Sequence, residues 1–228
     1  MDLFAPLDLP PLRARAYAPP PGPLVVLHAD AALLALDKPS GLLTVPGKDP
    51  ALADCLAARA EAAFPGARIV HRIDMDTSGV VILARTPEAQ RHLGLQFERR
   101  IVEKTYVARV RGTPAAAAGR IEAPLMTDWP ARPRQKIDPA GRPAVTEWTR
   151  EAVEQGGDAR LRLRPLTGRS HQLRVHLAAL GHPILGDALY GEDAVFAAAP
   201  RLQLHAERLR LRHPEGGAWL EFVAPAPF

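Results

Sequence analysis

Short apolar runs separated by turn residues organise most of this chain. Leu24-Val25-Val26-Leu27-His28 and Ala32-Leu33-Leu34-Ala35-Leu36 flank an Asp30-Ala31 turn and predict two short strands. Asp37-Lys38-Pro39-Ser40-Gly41 follows as a loop. Pro50 to Phe64 reads as one alanine-rich helix closed by Pro65-Gly66. The runs Arg68-Ile69-Val70 and Val80-Val81-Ile82-Leu83-Ala84 predict strands on either side of a polar loop, whose Thr77-Ser78-Gly79 end reads as a turn. Thr86-Pro87-Glu88 then supplies an N-cap, a first-turn proline and a dipole-favoured acid. Ala89, Leu93 and Phe97 give that helix a buried stripe, with Arg91 and Glu98 outward.

Lys104 to Val110 predicts a strand ended by Gly112-Thr113-Pro114. Residues 126–143, broken by prolines, read as a loop. Ala159-Arg160-Leu161-Arg162-Leu163-Arg164 alternates strictly, as does Arg208-Leu209-Arg210-Leu211-Arg212. An arginine-faced strand fits a solvated surface and a phosphate-binding surface equally well. Ser170 is placed to cap a helix buried along Leu173, Leu177 and Leu180, and Gly181-His182-Pro183 stops it. Strands over about 202–212 and 218–224 close the chain. Strands outnumber helices and strict βα alternation is absent, which predicts an α+β fold with a mixed, mostly antiparallel sheet.

Seven prolines within residues 1–23 (Pro6, Pro10, Pro11, Pro19, Pro20, Pro21 and Pro23), with Arg13 and Arg15, mark an extended N-terminal arm. Residues 24–228 are then the folded domain. A hydrophobic fraction of 47% excludes disorder as the general state. The single cysteine, Cys55, excludes an internal disulfide framework and reads as core filler. A net charge of +4 permits a polyanionic partner. No apolar stretch approaches ~18 residues and no signal pattern opens the chain, so a soluble, cytoplasmic protein is expected.

The densest chemistry lies in His71-Arg72-Ile73-Asp74-Met75-Asp76-Thr77-Ser78-Gly79. A loop held between two buried strands can present reactive groups on a fixed scaffold. Asp74 and Asp76 share a side if the backbone is extended. A metal site using both carboxylates and His71 is the rival reading, disfavoured by the adjacent Arg72 and by the missing second histidine. A cation beside a carboxylate favours its charged form, as an aspartate nucleophile needs. Ser78 and Ser170 lack a nucleophile elbow. Gly168-Arg169-Ser170 fits either an anion site at a helix start or ordinary capping. No Walker A or dinucleotide fingerprint occurs, which points to chemistry without a cofactor.

The 71–79 block resembles the signature of the RluA-type pseudouridine synthase family. Asp37-Lys38-Pro39-Ser40-Gly41-Leu42-Leu43, Lys104-Thr105-Tyr106, Thr167 to His176, Leu180 to Asp187 and Leu204-His205-Ala206 resemble further blocks of that family, in its order. Ile73 stands where the family signature has leucine, a volume-conserving change. Within the family the chain resembles the short, dual-specificity members that lack an S4 domain and carry a block like Asp128-Trp129-Pro130 to Lys136.

The resemblance implies the pseudouridine synthase fold with a central RNA-binding cleft. It implies Asp74 as the catalytic carboxylate, Arg169 as the cation paired with it, and Tyr106 stacked on the target base. Arg72 would fill the space left by an extruded nucleotide. Arg132, Arg134 and Lys136 would contact RNA phosphates. Asp76 falls at a variable position and is not expected to be catalytic. The implied partner is a stem-loop of 23S rRNA or of a tRNA anticodon arm, bound by a monomer with no metal and no cofactor. A non-catalytic RNA-binding or chaperone protein and a metal-dependent phosphoesterase are the competing classes.

Overall fold

The computed structural model describes residues 4–5, 7–13 and 16–228; Pro6 and Arg15 of the predicted arm lie outside these. In chain order the elements begin with β1 (Val25–Ala29), β2 (Leu33–Lys38), α1 (Leu56–Ala63), β3 (Arg68–Ile69), β4 (Ser78–Ala84), α2 (Pro87–Glu98) and β5 (Glu103–Val110). β6 (Ala118–Glu122), β7 (Leu125–Thr127), β8 (Gln135–Ile137), β9 (Val145–Val153) and β10 (Ala159–Pro165) follow. α3 (Gln172–Ala179), α4 (Asp193–Ala197), β11 (Leu204–Arg212) and β12 (Trp219–Val223) complete the chain. Two compact units contain them: residues 16–104 with 205–228, and residues 4–5 and 7–13 with 105–204.

In the first unit β2 pairs antiparallel with β1 and β4, β3 joins β4, and β12 joins β11. β4 and β11 run parallel, His205 opposite Ser78 and Ala206 opposite Gly79. β4 is buried throughout, which is why its sequence runs apolar instead of alternating. Gly79 lies inside this strand at φ +112°, and a Cβ there would collide with the Ala206 backbone. The residue predicted to end a turn is therefore where two backbones meet at close range. The core runs through Leu33, Ala35, Val80, Ile82, Leu93, Leu209 and Leu211.

α2 forms as its sequence predicts: the Thr86 hydroxyl accepts from Ala89 N–H, Ala89 and Leu93 are buried, and Phe97 packs at the core edge. The predicted helix over 50–64 is instead a 3-10 turn at Pro50–Leu52 followed by α1. Asp49 caps the turn, and the buried Cys55 caps α1 through a 3.4 Å bond from Ala58 N–H. Two N-caps in one stretch of small residues split the helix.

In the second unit β10 pairs antiparallel with β5 and β9, and β6 pairs with β9. Leu161 and Leu163 of β10 face a core with Ala108, Val110, Leu173 and Leu177. The 126–143 stretch, predicted as loop, carries an antiparallel hairpin of β7 and β8. Its prolines occupy the turn and flanks, so no ladder donor is lost. The helix predicted to be capped by Ser170 begins after His171, which takes a left-handed φ of 55° and makes no side-chain cap. α3 is buried on every side from Gln172 to Leu177, not along one leucine stripe. Its polar residues are satisfied internally. Arg174 and Asp187 form a buried two-point ion pair at 2.7 and 2.8 Å, and His176 bonds Thr146 and the Ala123 carbonyl.

Residues 7–13 of the arm dock on this unit. Leu7 and Leu9 pack beside Leu125, Val175 and Tyr190. Arg13 donates to the Ala188 and Gly191 carbonyls at 3.0 Å each and pairs with Asp193 at 2.6 Å.

Candidate active site

The Asp74 loop belongs to the first unit, and its backbone is tied down carbonyl by carbonyl. The Thr44 hydroxyl donates to Ile73 O at 2.7 Å, and Thr77 N–H donates to Asp74 O at 3.2 Å. Met75 O accepts from Lys38 Nζ and from Gly41 N–H, both at 2.9 Å, and the Ser40 hydroxyl donates to Asp76 O at 2.6 Å. Lys38 is fully buried and its ammonium also donates to Pro39 O at 2.9 Å and Leu42 O at 2.6 Å. Three carbonyl oxygens accept from its ammonium, which offsets part of the cost of burying it. The 38–44 and 73–76 segments are thus one clamped unit, with the half-buried Asp74 on fixed backbone and Arg72 exposed beside it. Residues 75 and 76 lie in a bend, so the extended geometry that would align Asp74 with Asp76 does not occur.

His71 packs under the loop. Its ring stacks on Phe97 with centroids 4.4 Å apart, and Nε2 accepts Ile82 N–H at 2.9 Å. Burial, then the nearby Lys104 ammonium, lowers its pKa from 6.5 to about 3. The imidazole is neutral, and Nε2 is removed from metal ligation by its bond to the amide. Ser78 and His205 look superficially like a nucleophile and base: Ser78 Oγ lies 2.8 Å from Nδ1, and Nε2 donates to Ala224 O at 2.8 Å. Both are buried across the parallel β4–β11 pair, so the bond serves as a strut.

Tyr106 and Arg169 belong to the second unit. Tyr106 sits in β5 opposite Leu163 and is half-buried at the core edge. Arg169 lies in the loop before α3, where Nε donates to Pro143 O at 3.0 Å. Gln172 sets this loop. Its carbonyl accepts from the Thr167 hydroxyl at 2.7 Å and from Arg169 N–H at 3.0 Å. Its amide donates to Val145 O at 2.9 Å and Thr146 Oγ1 at 3.0 Å. The left-handed His171 next to it bonds Tyr190 Oη at 2.8 Å, and that hydroxyl accepts Gln135 N–H at 2.8 Å. A non-glycine residue in this conformation costs on the order of 1–2 kcal/mol, and the hydroxyl bond helps hold it there.

The three hairpin cations differ from one another. Arg132 is exposed, with its guanidinium 4.6 Å from the Trp129 ring centroid. Lys136 is exposed and pairs with Asp138 at 3.1 Å. Arg134, expected to meet phosphate, is 5% exposed and donates to Leu189 O and Pro10 O at 2.7 Å each. It is an internal tie, and the expectation of a phosphate contact is corrected. On the β9–β10 face Arg160 and Arg162 pair with Glu151 at 3.3 and 2.5 Å. Arg164 and Arg120 pair with Glu147 at 3.5 and 3.2 Å. These ion pairs favour the solvated-surface reading of that face.

Lys38, Thr44 and Gln172 are site-forming residues that sequence reasoning did not single out. Lys38 carries the one usable signal, since it falls in phase with the inward Leu34 and Leu36 of β2.

The structure superposes on human RNA Pseudouridylate Synthase Domain Containing 1 with a TM-score of 0.76 at 29% identity, covering 92% of this chain and 87% of that one. For human RNA Pseudouridylate Synthase Domain Containing 4 the TM-score is 0.70 at 26% identity, covering 89% and 88%. Residues 32–179 match the family model of RNA pseudouridylate synthase, and the chain belongs to that family. It is 50% identical over 216 residues to the dual-specificity RNA pseudouridine synthase RluA of Escherichia coli K12, covering 93% of this chain and 98% of the relative. The protein of that name from Yersinia pestis is 47% identical over 206 residues, covering 90% and 100%. The chain is accordingly an isomerase acting on uridine in RNA.

Proposed function

We propose that this enzyme isomerises uridines in both a 23S rRNA loop and tRNA anticodon stem-loops. Likeness over nearly the whole chain to dual-specificity relatives supports the two substrates, and the observation that supports the catalytic carboxylate is the clamped Asp74 loop, on a backbone with every carbonyl from 73 to 76 engaged. Preorganisation of this kind is what a reacting carboxylate requires. The reaction breaks N1–C1′, turns the uracil and joins C5 to C1′; the C5 proton leaves and N1 regains one. Atoms and electrons balance within the nucleotide, so no redox cofactor is called for. Asp74 supplies the carboxylate, Arg169 the cation that keeps it charged, and Tyr106 the ring that stacks on the base and a hydroxyl for the C5 proton. Arg72 occupies the place of the flipped nucleotide, and Arg132 and Lys136 attract phosphates. Residues 24–228 act as one catalytic domain, working as a metal-free monomer in the cytoplasm.

The test is pseudouridine mapping in tRNA and 23S rRNA from cells with and without the gene, by carbodiimide labelling and reverse-transcription stops. Stops lost on deletion should return with wild type and not with Asp74→Asn, whose RNA affinity stays within tenfold. Turnover retained by Asp74→Asn sinks the mechanism. Wild-type protein that binds these RNAs and leaves them unmodified favours an RNA chaperone.

A further inference from the structure

The tip of the β7–β8 hairpin carries the most exposed large hydrophobic side chain among the described residues, Trp129 at 69%. An indole held in water forgoes the few kcal/mol its burial would contribute. The tip is also stiff. Asp128 N–H donates to Arg134 O at 3.0 Å, Ala131 N–H to Asp128 O at 3.1 Å and Arg134 N–H to Ala131 O at 3.0 Å. Pro130 and Pro133 restrict the turn further. Its base is tied by the buried Arg134 to Leu189 O and Pro10 O, and by Gln135 N–H to the Tyr190 hydroxyl. The cost of ordering an exposed aromatic side chain has thus been met before any partner arrives.

We propose that Trp129 and Arg132 form a stacking platform for one unpaired nucleobase of the RNA stem-loop, distinct from the uridine that is isomerised. The proposal rests on the stem-loop reading above. A phosphate contact alone would need the cation and not the indole; an apolar protein partner would need the indole and not a guanidinium 4.6 Å over it. An exposed indole with one exposed guanidinium against it suits a splayed base with its phosphate. The target base is assigned to Tyr106, which leaves the indole for another. Trp219 provides an internal contrast. It is 37% exposed and has the guanidiniums of both Arg210 and Arg212 at 4.5 Å, Arg212 directly opposite it across β11 and β12 and Arg210 two residues along. That indole is used within the sheet.

The experiment measures Kd for a synthetic anticodon stem-loop and for the 23S stem-loop. Each unpaired nucleotide other than the target is replaced in turn by an abasic residue. Stacking of about 1–3 kcal/mol predicts a rise in Kd of roughly 5- to 150-fold for Trp129→Ala, much less for Trp129→Phe, and KM rising more than kcat falls. One abasic position should weaken wild type by a similar factor and leave Trp129→Ala unaffected. A Kd for Trp129→Ala within twofold of wild type overturns the platform, as do abasic penalties equal in both proteins. Neither result touches the function. Conversely, wild type that binds without forming pseudouridine defeats the function reading while the Kd comparison still decides the platform. Failure of wild type to bind either RNA defeats both.

Discussion

Two loops carry the expected catalytic groups, and each is organised by one buried polar side chain of opposite character. The Asp74 loop turns carbonyls inward, and Lys38, a donor only, collects Met75 O together with Leu42 O and Pro39 O. The Arg169 loop presents a hydroxyl and an N–H on one side and carbonyl and hydroxyl oxygens of β9 on the other. Gln172, donor and acceptor at once, bridges them with four bonds. A cation fixes a strand-to-strand loop through its acceptors alone; an amide fixes a strand-to-helix loop through both kinds of group. The choice of residue follows from which backbone groups each loop leaves unpaired.

Breaking the lysine clamp should have the largest effect. Lys38→Met removes the ammonium from Pro39 O and Leu42 O, while Met75 O keeps Gly41 N–H, at ~1–3 kcal/mol for each acceptor left unpaired, less whatever water restores. We expect a stability loss of about 3–5 kcal/mol in urea unfolding, and turnover reduced in whatever protein folds. A wild-type midpoint in that variant would show that the ammonium does not hold the loop. The amide can be dissected more finely. Gln172→Leu removes all four bonds and should cost about 2–4 kcal/mol. Gln172→Glu keeps acceptors for Thr167 and Arg169 N–H and should retain more activity than leucine does. Equal kcat in the two variants would contradict the account of Arg169 positioning.

The smallest effect is a pH slope. The folded-state pKa of His71 is lowered from 6.5 to about 3, so below 6.5 the unfolded chain binds more protons than the folded one. Stability from this burial is complete well above pH 6.5 and falls as pH drops towards 3, by about 2 kcal/mol between 7.5 and 5. Burial lowers the pKa of His176 too and adds a slope of the same sign from the other unit. His71→Gln, an isostere able to accept the Ile82 amide, should flatten urea midpoints compared at pH 7.5 and 5. An unchanged slope would assign the pH dependence elsewhere.

Much of the fold is legible in local pattern. The turn at Asp30-Ala31, the Thr86 cap and the leucine–arginine alternation of β10 each depend on neighbours within a few residues, and the structure has them as expected. The misses share a cause, because their deciding partners are distant in sequence. Arg134 sits between two exposed cations and nothing nearby marks it as buried; Pro10 and Leu189 cover it. Ser170 looks like a cap, but His171 takes the boundary and bonds Tyr190. Gly79 reads as turn chemistry until Ala206 is seen against it. In the candidate site the motifs give the identities of the reactive groups. The carbonyl clamp behind them emerges only when residue 38 meets residue 75.

The docked arm also bears on how the chain is made. Pro10 accepts its bond from Arg134, 124 positions later, and Arg13 reaches acceptors 175 to 180 positions ahead. During synthesis residues 7–13 emerge long before residues 134 and 188–193, and these contacts wait until most of the second unit exists. Such long-range contacts form late and are slow to close. The hairpin tip and the tyrosine–histidine link behind Arg169 therefore reach their final rigidity late in folding, when residues 10–13 settle against residues 134 and 188–193.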